Sequence, residues 1–229
     1  MTLELAQRMS ELLLAVAFLQ SSCEHILSAA SERRLFVPRA VFSLALFVDQ
    51  LAPAALLLLS AHSFFVLHRF GGPYNGGSDR MALLILYCLT AAAWLPDGRM
   101  TELAFGYLGL QLVLSYVISG QVKLTNPDWR SGRALSDVFR FSAYPVSMEM
   151  RGLAQWPRLL FTLSWAVMVF EIAFPAALLN TSFLYFGLML GLAFHLVNAI
   201  LFGLNRFVWS WLAAYPSLIW LQTRVEQLL

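Results

Sequence analysis

Lys123 is the single lysine among the 15 lysines and arginines of this 229-residue chain. A desolvated lysine can give up its proton and serve as a base, whereas an arginine stays charged. Lys123 stands in the run SYVISGQVKLTNPDW, where an apolar stretch turns polar. Two plainer explanations exist for it: a GC-rich genome depletes lysine codons, and a basic residue at a membrane-helix end snorkels to the interface. Asp49, Glu171 and His195 are further ionisable groups in apolar stretches, with Gln111, Gln121 and Asn198 as hydrogen-bonding companions. Such groups are costly in lipid, so by default they face a bundle interior and mark a site. His195 and Asn198 are three apart and fall on one helix face. Glu171 and His195 lie in consecutive apolar stretches joined by a short turn around Asn180, which leads to the expectation of antiparallel helices and a Glu171–His195 contact. Each also has a structural explanation: a neutral Glu171 bonded to backbone, Asn198 as interhelical glue, His195 satisfied in a core. Glu24, His25 and His62 are weaker candidates, because each could sit at an interface.

The elements that must position these residues are helices. Hydrophobic residues make up 59% of the chain and charged residues 12%, against about 25% charged in soluble domains. The expected class is therefore an all-α polytopic membrane helix bundle, one integral membrane domain over residues 1–229 with no soluble domain. A bilayer core takes about 20 apolar residues as helix. Stretches 103–122, 159–179 and 182–204 fit well, and 207–222 is short but rich in Trp209, Trp211, Tyr215 and Trp220, as in an interfacial belt. Met81–Pro96 is also short, Ala40–Leu67 is interrupted by Asp49 and Pro53, and Glu11–Ala30 is doubtful, which gives six or seven spans. The stretch 123–158 mixes charges with Trp129, Phe139, Phe141, Tyr144 and Trp156 and reads as amphipathic surface helices. Pro127 and Gly132 supply a helix stop and a reversal within it.

Several function classes drop out. A formal net charge of +2 gives no argument for nucleic acid. Cys23 and Cys88 read as free thiols, and no metal-ligand spacing is present, so no metal is expected. The Gly-rich run 71–77 lacks a following Lys-Ser/Thr and reads as a turn. The N-terminal residues lack a basic region ahead of their apolar run, which suits a retained segment. Loops 68–80, 123–158 and 205–206 hold most of the basic residues, which places them on the cytoplasmic side.

The run Tyr116-Val-Ile-Ser-Gly120-Gln121-Val-Lys123-Leu124, followed by Asp128-Trp129 and Gly132, resembles an element of the membrane region of vitamin K-dependent gamma-carboxylase. His195-Leu-Val-Asn198-Ala-Ile-Leu201-Phe202 resembles the HxxNxxLF helix that follows in that family. Glu171 with Phe174-Pro175, and Gly77-Ser78-Asp79, are similar to the bacterial horizontally transferred transmembrane (HTTM) family. The resemblance covers about residues 75–210 and implies a membrane-embedded, quinol-dependent enzyme acting on a peptide or a lipid-soluble substrate. By resemblance Lys123 is the base that deprotonates a reduced isoprenoid quinone, a vitamin K-like cofactor. His195 is then a second catalytic residue, and Glu171, Asn198, Tyr116, Gln121 and Trp129 shape the pocket. The region that carries an epoxidation histidine in the carboxylase reads Tyr74-Asn-Gly-Gly-Ser-Asp79 here, without one. The implied partners are the lipid bilayer, a peptide substrate or other membrane proteins, and the implied location is a bacterial inner (cytoplasmic) membrane. The alternative is a non-catalytic membrane protein for maturation or export of a secreted peptide.

Overall fold

A computed structural model describes residues 1–95 and 97–227. The described residues form helices and no strand: α1 (Leu3–Ser28), α2 (Arg33–Ala45), α3 (Ala52–Phe70), α4 (Gly77–Trp94), α5 (Gly98–Thr125), α6 (Pro127–Arg130), α7 (Arg133–Phe141), α8 (Met148–Gly152), α9 (Pro157–Ala173), α10 (Thr181–Phe202) and α11 (Asn205–Glu226). The chain is an all-α polytopic membrane protein. Four segments among the described residues are long and apolar enough to cross a bilayer: Asp49–Phe70, Gly98–Thr125, Pro157–Leu178 and Thr181–Phe202.

Six or seven spans is more than these four. The other expected stretches do fold as helices, but each takes in polar turns. Helix α4 carries Asp79 and Arg80 in its first turn, and Pro96, the expected end of that span, lies outside the described residues. Helix α11 contains Arg206, Gln222 and Arg224, and α1 contains Glu4, Arg8, Glu11 and Glu24. The stretch Ala40–Leu67 breaks where Asp49 and Pro53 suggest. Helix α2 ends at Ala45, a 3₁₀ turn covers Asp49–Leu51, and Pro53 sits in the first turn of α3, where its missing N–H is tolerated.

Contacts divide the chain into two compact units, Met1–Leu110 with Arg206–Arg224, and Gln111–Asn205 with the residues from Val225 onward. In the first unit, Arg8 ties α1 to the break after α2. It donates to the carbonyls of Leu46 (2.9 Å) and Phe47 (3.1 Å) and pairs with Asp49 at 2.9 Å. Orphan carbonyls at a helix C-terminus need such a donor. The Asp49 side chain is 74% exposed, so it is a surface partner of Arg8 and not a buried site residue.

In the second unit, Asn126 caps α6 by accepting from the Asp128 N–H at 2.9 Å, and Pro127 follows as its first residue. Gly132 reverses the chain with φ +77°, and a Cβ there would lie 2.8 Å from Phe161 Cα, so the position needs glycine both for its backbone and for the close approach. Helix α7 is strongly amphipathic. Phe139 is buried with Ala154 and Leu160, and Leu135, Leu153, Leu201 and Phe202 pack around them. Arg133, Asp137 and Arg140 take the other face. The expected surface helices are thus α6, α7 and α8.

Candidate functional site

Helix α5 delivers Tyr116, Gly120 and Lys123 at spacings of four and three, so the three share one face. In the second unit that face meets α9. A Cβ on Gly120 would lie 2.9 Å from Glu171 Cβ and 2.9 Å from Ile172 Cγ1. Only a residue without a side chain lets α5 come this near, and the approach brings the next turn's Lys123 onto Glu171. Lys123 Nζ donates to both carboxylate oxygens of Glu171, at 2.7 and 2.8 Å, and to the Ser119 carbonyl at 3.5 Å. The Glu171 side chain is 3% exposed and that of Lys123 17%. The indole of Trp129 lies 5.4 Å from Nζ, within cation–π range. The backbone carbonyl of Trp129 accepts from the Ser164 hydroxyl at 2.6 Å, which fastens the turn after α5 to α9.

Two helical turns before Lys123, Tyr116 Oη is 3.0 Å from His195 Nε2. Tyr116 and His195 are both 3% exposed. The Tyr116 ring stacks on Phe174 at 4.0 Å between centroids, and Phe170 meets it edge-on at 5.3 Å. Phe194 packs against His195 at 5.1 Å. Rings fix both members of the hydrogen bond, so the pair is held from the sides as well as by its own contact.

Five of the seven expected site residues therefore form two clusters along one face of α5: Lys123, Glu171 and Trp129, then Tyr116 and His195. The expected Glu171–His195 contact is replaced by a different pairing, because Gly120 draws Glu171 to α5 and His195 reaches Tyr116. Gln121 is exposed on another face of α5, and its side chain enters neither cluster. Asn198 is half-buried on α10 one turn beyond His195. Sequence reasoning passed over Phe170, Phe174 as a stacking partner, and Ser164. The spacing of Phe170, Phe174 and the residues between them is the signal that points to a shared face with Glu171, but apolar residues on an apolar helix carry little contrast.

The arrangement can hold a proton between Nζ and a carboxylate oxygen in a setting with little water, and it offers a second donor–acceptor pair two turns away. Among the described residues no group of His, Cys, Asp and Glu has metal-binding geometry.

The fold and the site together define an integral membrane helix bundle with a buried lysine–carboxylate pair. Residues 98–222 match the HTTM domain family, more than half of the chain, and the protein belongs to that family. No curated protein and no solved structure matches it.

Proposed function

We propose that the protein is a membrane-embedded quinol-dependent enzyme with Lys123 as its base, acting on a peptide or lipid-soluble substrate in a bacterial cytoplasmic membrane. The observation that carries this reading is the two-oxygen contact between Lys123 and Glu171. The matched domain is one known from vitamin K-dependent carboxylase-like membrane proteins.

The residues fit a reduced isoprenoid quinone. Lys123, Trp129, Tyr116 and His195 would hold its head group. An apolar groove of about 370 Å³, lined by Phe170, Phe174, Phe183, Phe186 and Leu190 among others, suits its chain. Such a group supplies, when bound, a phenolic hydroxyl of modest acidity and an electron pair for oxygen. The chain's own part concerns the proton. Lys123 is a base only as a neutral amine. Transfer of a proton from Nζ to Glu171 across 2.7 Å creates that amine beside a carboxylic acid. The amine then accepts the next proton at Nζ, and the resulting ammonium offsets the anion generated, which is electrostatic stabilisation where charge develops. The Trp129 face stabilises the same ammonium. Tyr116 and His195, locked by Phe170 and Phe174, orient a second polar atom.

Organic extracts of the purified protein test this by mass spectrometry for wild type, Lys123→Arg and His195→Ala. The expected result is an isoprenoid quinone retained by wild type and lost from His195→Ala. Lys123→Arg keeps the pair with Glu171 and the quinone, but cannot lose its proton, so oxygen-dependent consumption of added quinol stops. Wild type with no quinone above the membrane background overturns the reading.

A second reading, a non-catalytic protein for maturation or export of a secreted peptide, draws on the exposed apolar side chains of Phe141 (77%), Met148 (79%) and Trp156 (65%). Crosslinkers placed at these residues then trap a peptide, and Lys123→Arg is silent. Recovery of lipid alone counts against it.

A further inference from the structure

The turn that follows Lys123 lies deeper than a surface loop should. Pro157–Leu178 is a span of 22 residues, about 33 Å as helix, against a hydrocarbon core of about 30 Å, so it has almost no length to spare. After Gly120 meets Glu171, the chain tracks back along α9 towards Pro157. The Trp129 carbonyl accepts from Ser164, the Arg130 carbonyl accepts from Trp165 Nε1 at 3.0 Å, and Gly132 lies against Phe161. At 1.5 Å per residue, Ser164 is about 10 Å in from Pro157 and Glu171 about 21 Å. Helix α7 then returns to the boundary. There Phe139 packs with Leu160 and Phe202, beside the start of one span and at the end of the next. The α6 end of the surface helices is therefore sunk into the membrane.

The sunken part is polar and open. Gln121, Thr125, Asn126, Asp128, Arg130 and Ser131 are exposed. Asp128 and Arg133 face one another at 3.8 Å, with side chains 55% and 71% exposed. Charged side chains in contact with lipid at this depth are costly. An arginine can snorkel along its stem to the interface, but Asn126 and Asp128 are too short to do so. Irregular backbone at membrane depth is tolerated only where protein buries it or where it lines a water-filled cavity. Protein does not bury this turn, which leaves water.

We propose that the turn 125–131 is one wall of a water-filled cleft that enters the bilayer beside α9 from the Pro157 side and ends at Lys123. The Lys123 side chain is 17% exposed and that of Glu171 3%, so water reaches the amine end of the pair and stops short of the carboxylate. Lys123 then exchanges protons with one aqueous face only, and a polar substrate comes to it without crossing lipid. That last point rests on the enzyme reading above and narrows it: the co-substrate of the quinol is water-borne.

The test uses the full chain in sealed membrane vesicles of either orientation, in a Cys23→Ala, Cys88→Ala background. Single cysteines are introduced as Thr125→Cys, Asp128→Cys and Ser131→Cys. Leu163→Cys is the control, because Leu163 neighbours Ser164 in depth on the flank of α9 away from Trp165 and is 41% exposed. The probe is a membrane-impermeant anionic methanethiosulfonate, read by mass spectrometry; a cysteine in apolar surroundings does not form the reactive thiolate. The three turn variants are expected to react at least about a hundredfold faster than Leu163→Cys, the handicap an ionic reagent meets in hydrocarbon, and in vesicles of one orientation only. Ser131→Cys is the most conservative of them and decides the matter where Asp128→Cys fails to fold. Rates no faster than at Leu163→Cys, reaction from both sides, or protection of Ser131→Cys by a disulfide to a second copy each overturns the proposal. Quinone retention is measured on the same samples. Its absence removes the enzyme reading and leaves the cleft standing, whereas slow labelling with quinone retained removes the cleft alone.

Discussion

The two units handle buried charge in opposite ways. In the second, charged groups at the site meet as an ion pair, Lys123 with Glu171. In the first they form a network. Arg206 serves Glu24 and stands near Asp79, and His25 Nδ1 lies 2.5 Å from Glu32 while its ring stacks on Phe36 at 3.8 Å. Phe36 also underlies Arg39. A pair has no substitute when one member is lost, whereas a network has several. Pairs suit a site where a proton must have one defined destination. Networks suit a scaffold or a pocket that fixes many groups at once.

This contrast can be broken most strongly at Lys123. Lys123→Met leaves Glu171 buried without its cation and should cost about 3–5 kcal/mol, read as a fall in the unfolding midpoint in detergent. Gly120→Val adds atoms where a Cβ already meets Glu171 and Ile172. It should cost about 1–3 kcal/mol through overpacking, and it should also impair Lys123 chemistry because the helices part. Tyr116→Phe removes one buried hydrogen bond at nearly constant shape, a loss of about 1 kcal/mol in the same unfolding assay. Glu24→Gln tests the network. Arg206 keeps Asp79 and the Tyr74 face, and Glu24 is 41% exposed, so the loss should stay below about 1 kcal/mol. A Glu24→Gln penalty as large as that of Lys123→Met would erase the distinction between the units.

The long apolar helices are legible in the sequence because lipid imposes length and composition together. Pro53 and Asp49 mark a break, although whether it is a kink or a short 3₁₀ turn depends on where Arg8 can reach the freed carbonyls. Lys123 and His195 stand out by residue type and spacing. Glu171 is visible too, but its partner is not. The choice between Lys123 and His195 turns on how closely α5 approaches α9, which Gly120 decides through packing and not through any local pattern. The setting of Arg39 was hardest to anticipate, because its partners Ser21 and Ser22 lie on α1 among apolar neighbours, where a small polar residue is unremarkable.

A double-mutant cycle on Lys123→Met and Glu171→Leu separates a coupled pair from two independent side chains. Unfolding free energies are measured for wild type, both single variants and the double variant. The double variant is expected to recover most of the loss, with a coupling of at least about 2 kcal/mol, because two apolar residues can replace a buried ion pair at little cost. Losses that simply add would mean that the two side chains do not act as a pair.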